Sequence, residues 1–174
     1  MNYLNGIKVN TERALAPFIA QLTRIVMKSQ IPVYYKARLW QFANNFFFHH
    51  NVKAIGRNVL GNRINCRTGD FVQKHILVFD TWEPGLTQYL LAKGSVDGIF
   101  LDIGANIGYF SLLASQIFTK VIAFEPSPSI CKALRDNLTL NEVKNVLKNI
   151  SIHEVAVTEF PGEFAFYKSE DGNI

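Results

Sequence analysis

With 174 residues, 48% of them apolar, the chain can bury one sizeable core and has little room for two full domains. Residues 1–75 carry 11 Lys and Arg against 2 acidic residues, and residues 76–174 carry 7 against 12, so a +9 segment precedes a −5 segment. A membrane span is excluded, because the long apolar stretch 14–27 is broken by Pro17, Gln21 and Arg24, short of the roughly 20 apolar residues a span needs.

Residues 1–10 lack the basic start, apolar block and small-residue cleavage site of a signal peptide, so a cytoplasmic protein is expected. Thr11 is a plausible N-cap, and Leu15, Phe18, Ile19, Leu22 and Val26 follow at helical spacing until Pro32 ends the pattern. A second helix follows, with Tyr35, Leu39, Phe42, Ala43 and Phe46 on one face. That stripe reads as the core of a helix pair, or as a lid, rather than as a cofactor box. The basic opposite side leaves a membrane-surface role as the minor alternative. The scattered Lys and Arg favour packing beside an acidic domain over binding to nucleic acid or an anionic membrane. His49 and His50 close the helix. Adjacent residues do not share a helix face and no Asp, Glu or Cys stands at ligand spacing, so no metal is expected. Residues 1–58 are thus read as a basic helical N-terminal extension and 59–174 as a separate α/β region.

Residues 51–80 change texture. Gly56, Gly61 and Gly69 punctuate short stretches, and Arg67-Thr68-Gly69-Asp70 reads as the turn of a β-hairpin. Cys66, like Cys131 further on, is isolated and is expected to be a reduced thiol. Pro84 opens a helix that runs to Lys93 and stops at Gly94. From there the periodicity alternates: strand 99–103, helix 108–118, strand 120–124, helix 128–141, strand 150–157 and strand 163–168. This order is that of a parallel α/β sheet.

The sequence FLDIGANIGYF, residues 100–110, places a sharp turn at the carboxyl end of a parallel strand, where ligands of open α/β sheets gather. Gly104 and Gly108 tolerate positive φ and let a ligand approach the backbone. Glycines alone are a weak signal. Asp102 before them, Asn106 between them and Glu125 at the end of the next strand strengthen it. A carboxylate at Glu125 can accept hydrogen bonds from both hydroxyls of a ribose. A dinucleotide would call for G-x-G-x-x-G and a helix N-terminus free of nearby negative charge. Here the turn is Gly104-Ala105-Asn106-Ile107-Gly108 with Asp102 just ahead, which better suits the ammonium and sulfonium of S-adenosyl-L-methionine.

The stretches FLDIGANIGYFSLLAS, VIAFEPSPSICKALRDNLTLN, VAV and GEFAFY, with TWEPGLTQYLL upstream, resemble in order and spacing the FkbM-like S-adenosylmethionine-dependent methyltransferases. The resemblance spans roughly residues 60–174 and implies a Rossmann-like methyltransferase fold with a partial parallel sheet. It implies that Asp102, Gly104, Asn106 and Gly108 border the methionine part of the cofactor and that Glu125 binds the ribose. Glu83 is a further candidate, although a carboxylate at a helix start is equally well explained by the helix dipole. The resemblance also implies a small-molecule acceptor, a sugar or polyketide-type hydroxyl, while the scattered placement of Lys and Arg disfavours nucleic acid and membrane as partners.

The family's fourth strand, with its acidic stretch, is expected beyond residue 174, which makes the chain the cofactor-binding half of a methyltransferase, inactive alone and prone to self-associate through an open sheet edge. The alternative is a noncatalytic half-domain that binds a nucleoside or another protein. Methyl transfer from a sulfonium is an in-line displacement that chiefly demands positioning. No catalytic base is assigned, since His153 and Glu154 read as strand-surface residues.

Overall fold

The computed structural model describes residues 2–141, 149–163 and 165. The chain divides into two compact units, one of residues 1–57 and 65–82, the other of 58–64 and 83–174. Among the described residues no helix is long and apolar enough to cross a membrane.

The first unit is built on α1 (Asn2–Lys28), α2 (Val33–Phe46), a 3-10 turn (Phe48–His50) and α3 (Phe71–Phe79). Helix α1 begins well before Thr11 and continues through Pro17, which forfeits one backbone hydrogen bond. Its buried stripe is Ala16, Ala20 and Thr23, while Leu15, Phe18 and Leu22 are exposed. The expected face is therefore out of phase. Small residues let α2 and α3 approach α1 closely, and an apolar count alone cannot register that preference. On α2 the expected stripe is likewise only partly buried: Ala43 is inside, whereas Tyr35, Phe42 and Phe46 are exposed. The inward ring is Trp40, packed against Phe48, His75 and Phe79 with centroids 5.3 to 5.7 Å apart.

Strands β1 (Lys53–Arg57) and β2 (Arg63–Arg67) pair as a two-stranded sheet. Their turn lies at 58–62, not at 67–70. The Asn58 side chain accepts the Leu60 and Asn62 amides at 3.1 and 3.0 Å, and Gly61 sits at φ 82°. Thr68-Gly69-Asp70 instead leads into α3, a helix that punctuation hid, where Asp70 is the N-cap and accepts the Gln73 amide at 2.8 Å. Both cysteines are buried and neither is in a disulfide, and burial pushes the Cys66 thiol up to about 12.

The second unit holds α4 (Pro84–Lys93), β3 (Ile99–Ile103), α5 (Tyr109–Ala114), β4 (Lys120–Phe124), α6 (Pro128–Thr139) and β5 (Ile150–His153). The three strands are parallel in the order β3-β4-β5, with Asp102 opposite Ala123 and Ala123 opposite Ile152. Two successive β-α-β units in this order make a Rossmann-like α/β fold. Helix α5 stops earlier than expected, and the Asn149 side chain donates to the Ser115 and Phe118 carbonyls beyond its end. Strand β5 ends at His153, and the strand expected over 163–168 falls largely outside the described residues.

Alternation sorts the sheet into two faces. Ala105, Ala123 and Leu134 form a core cluster on one, with Ile152 against it. On the other, Ile99, Leu101 and Ile103 are 60%, 55% and 62% exposed. Residues 58–64 belong with this unit because Asn62 donates to the Leu112 carbonyl at 2.7 Å and Arg63 exchanges backbone bonds with the Asn141 side chain.

Candidate functional site

The turn after β3 is folded by three residues in the left-handed region: Gly104 at φ 76°, Asn106 at 49° and Gly108 at 88°. Asparagine is among the few side-chain-bearing residues that visit this region readily. Here its Oδ1 accepts the Ile107 amide at 2.7 Å. The amides of Gly104 and Ala105 both donate to the Phe124 carbonyl, at 2.9 and 3.0 Å, so the turn is hung from the end of β4. A Cβ built on Gly108 would stand 2.1 Å from Leu134 Cδ1, whereas one built on Gly104 meets nothing within 4 Å. Gly108 is thus required by packing as well as by φ. Gly104 leaves open space above a bare backbone.

Glu125 follows β4 and is buried. Its Oε2 accepts the Asn106 amide and its Oε1 the Ser127 amide, each at 3.0 Å. One side chain thereby joins the two strand-end loops. Its backbone is fixed as well, since its amide donates to the His153 carbonyl at 3.1 Å and Cys131 Sγ donates to its carbonyl at 3.1 Å. A carboxylate offers about four lone-pair positions, so each oxygen retains capacity for a further donor.

Asp102 is buried on the packed face of β3, and its Oδ2 accepts from Ser111 Oγ of α5 at 2.5 Å. Burial raises its pKa from the ordinary 3.8, the Ser111 hydroxyl and amide lower it, and the Glu125 charge raises it again. Ser111 carries no motif of its own. The signal that would have found it is its position on α5, facing a carboxylate across the turn.

Glu83 is exposed and starts α4 in the left-handed region, at φ 44°, without a side-chain cap bond. Its carbonyl accepts the Thr87 amide at 2.9 Å, and Thr87 Oγ1 lies 3.2 Å from the Tyr109 hydroxyl. The start of α4 is therefore tied to the residue that follows Gly108. His153 stacks on Phe124 with centroids 5.3 Å apart, and Glu154 pairs with Arg135 at 3.1 Å, both on the surface.

No protein-family model matches the chain, and no curated protein does. Among solved structures it is similar to P. horikoshii TYW2 in complex with MeSAdo, with 22% identity and a TM-score of 0.47 over 65% of this chain and 39% of that one. It is also similar to the M. jannaschii tRNA m1G37 methyltransferase, with 20% identity and a TM-score of 0.44 over 59% and 30%. For M. jannaschii TYW2 in complex with AdoMet the values are 18% and 0.43 over 57% and 42%. The chain thus spans well under half the length of each.

Proposed function

We propose that the turn 104–108 and Glu125 bind S-adenosyl-L-methionine, and that the chain is the cofactor-binding part of a cytoplasmic methyltransferase of the FkbM-like kind. The observation that carries this reading is Glu125, a buried carboxylate held by the amides of Asn106 and Ser127 with capacity left on both oxygens. Two hydroxyls of one ribose match that arrangement. Gly104 supplies the cradle, since its Cβ position is open and any side chain there would fill it. When bound, the cofactor supplies a methyl group on a sulfonium.

The chain's own residues hold and orient. Glu125 fixes the ribose, Gly104 and Asn106 present backbone to the methionine part, and Gly108 lets the turn close on α6. Asp102, turned to Ser111, contributes a fixed negative charge behind the turn. Glu83 stands at the strained start of α4, tied through Thr87 to Tyr109, and strain of this kind gathers at ligand clamps. The acceptor proposed is a sugar or polyketide-type hydroxyl, on the family resemblance. A nucleic-acid acceptor is the second reading, favoured by the 11 Lys and Arg against 2 acidic residues of 1–75. Salt-dependent binding of tRNA by the chain would support it.

The test is a calorimetric titration of the folded chain with S-adenosylmethionine, compared with Glu125→Ala and Glu154→Ala. Loss of the charge-assisted bonds at Glu125 should weaken binding by about 1.5–3 kcal/mol. Glu154, paired with Arg135 on the surface, should have no effect. Equal affinities for wild type and Glu125→Ala would overturn the assignment.

A further inference from the structure

The spacing of His49 and His50 gave no reason to expect a metal, yet the fold supplies a third ligand. His50 Nε2 lies 3.0 Å from Glu12 Oε2, a residue 38 positions earlier on α1. The His49 and His50 rings lie together with centroids 3.9 Å apart and planes tilted by 41°. On an α-helix, consecutive side chains diverge. These two instead occupy a 3-10 turn that ends at Asn51 in the left-handed region, φ 52°. One ligand atom from each of Glu12, His49 and His50 falls within 4.8 Å of the others.

We propose that Glu12, His49 and His50 bind a divalent transition-metal ion of the zinc class, pinning α1 to the turn that follows α2. Two imidazoles and one carboxylate are a donor set that zinc accepts, with the remaining tetrahedral position left to water. Around zinc, bonds of about 2.0–2.2 Å put neighbouring donor atoms roughly 3.3 Å apart. The 3.0 Å between Glu12 and His50 is already close to that spacing. His50 and Glu12 are sheltered, at 8% and 18% side-chain exposure, and His49 is exposed, so the cluster can be reached from solvent on the His49 side. All three residues lie in the helical unit, so binding should stabilise that unit by mass action.

The test is a calorimetric titration of the full 174-residue chain, stripped with chelator, using zinc chloride alone, with magnesium chloride as control. One equivalent of zinc should bind saturably and magnesium should not. His49→Gln and Glu12→Gln should each weaken zinc by at least about tenfold, because even residues that merely support metal ligands cost 10–100-fold when removed. His75→Gln, outside the cluster, should leave affinity unchanged. Because His49 is exposed, its variant keeps the fold, and circular dichroism will show it. Zinc should also raise the melting temperature of the wild type more than that of His49→Gln at the same zinc concentration, read by fluorescence of Trp40 and Trp82, both in the helical unit. Absence of saturable uptake, or uptake that survives both ligand substitutions as adventitious surface binding only, overturns the proposal.

Discussion

Gly104 and Gly108 share a left-handed backbone, but their replacement has different consequences. Gly104→Ala incurs only the conformational cost, about 1–2 kcal/mol, because its Cβ meets nothing. Gly108→Ala adds a collision with Leu134 and should cost about 1–3 kcal/mol more. The order reverses for ligand, with Gly104→Ala weakening S-adenosylmethionine more per unit of stability lost. Urea unfolding followed by circular dichroism, with a titration on each variant, checks both orders. Asp102 provides a pH test. Its folded pKa is raised, chiefly by burial, so the native state holds the proton more tightly than the unfolded chain does. The contribution of Asp102 to stability is therefore full at low pH and is lost as pH rises from the ordinary 3.8 through the folded value. Asp102→Asn should remove that decline, making the variant the more stable form at neutral pH and not below pH 3.8, as read from thermal melts across pH. These turn residues were legible in the sequence because only a few residue types serve such a backbone. The partner of Asp102 was not, since Ser111 matches any surface-helix serine until the turn places it.

Helix α3 shows what an element conceals. Thr68-Gly69-Asp70 has turn chemistry whether a strand or a helix follows, and only the Asp70 bond to the Gln73 amide distinguishes them. The α/β region was legible because alternation of strand and helix periods over many residues leaves one consistent reading. Strands β3 and β4 fall where the pattern puts them. The helical unit was less legible, because small buried residues carry little hydrophobic signal. Its tertiary fastening was hidden as well: Asp80, buried at the end of α3, accepts from Arg24 at 2.8 Å and from Lys28, both on α1. Asn tolerates the left-handed backbone of Asp80, φ 58°, so Asp80→Asn isolates the charge. It should destabilise the helical unit by about 1.5–3 kcal/mol. Lys28→Ala, at a half-exposed partner, should cost less than about 1 kcal/mol. Tryptophan fluorescence in urea reads this unit, since Trp40 and Trp82 both belong to it.

At the scale of the whole chain, the sheet shows one face covered by helices and one row, Ile99, Leu101 and Ile103, more than half exposed. Among the described residues β3 pairs with β4 alone, so its outer edge adds open backbone groups to that apolar row. The chain in isolation is expected to self-associate there. Leu101→Lys with Ile103→Lys should shift sedimentation toward monomer without lowering the melting temperature, and unchanged sedimentation would exclude this face. The strand-end site does not depend on that association, because the turn 104–108, Glu125 and Ser127 are held by bonds within one unit. The most direct measurement is a crystal structure with S-adenosylhomocysteine, the product of methyl transfer, soaked or co-crystallised. The ribose hydroxyls should lie on both oxygens of Glu125, beside the amides of Asn106 and Ser127, with the amino-acid part over Gly104. Ligand bound elsewhere, or a turn left empty at saturating ligand, would contradict it.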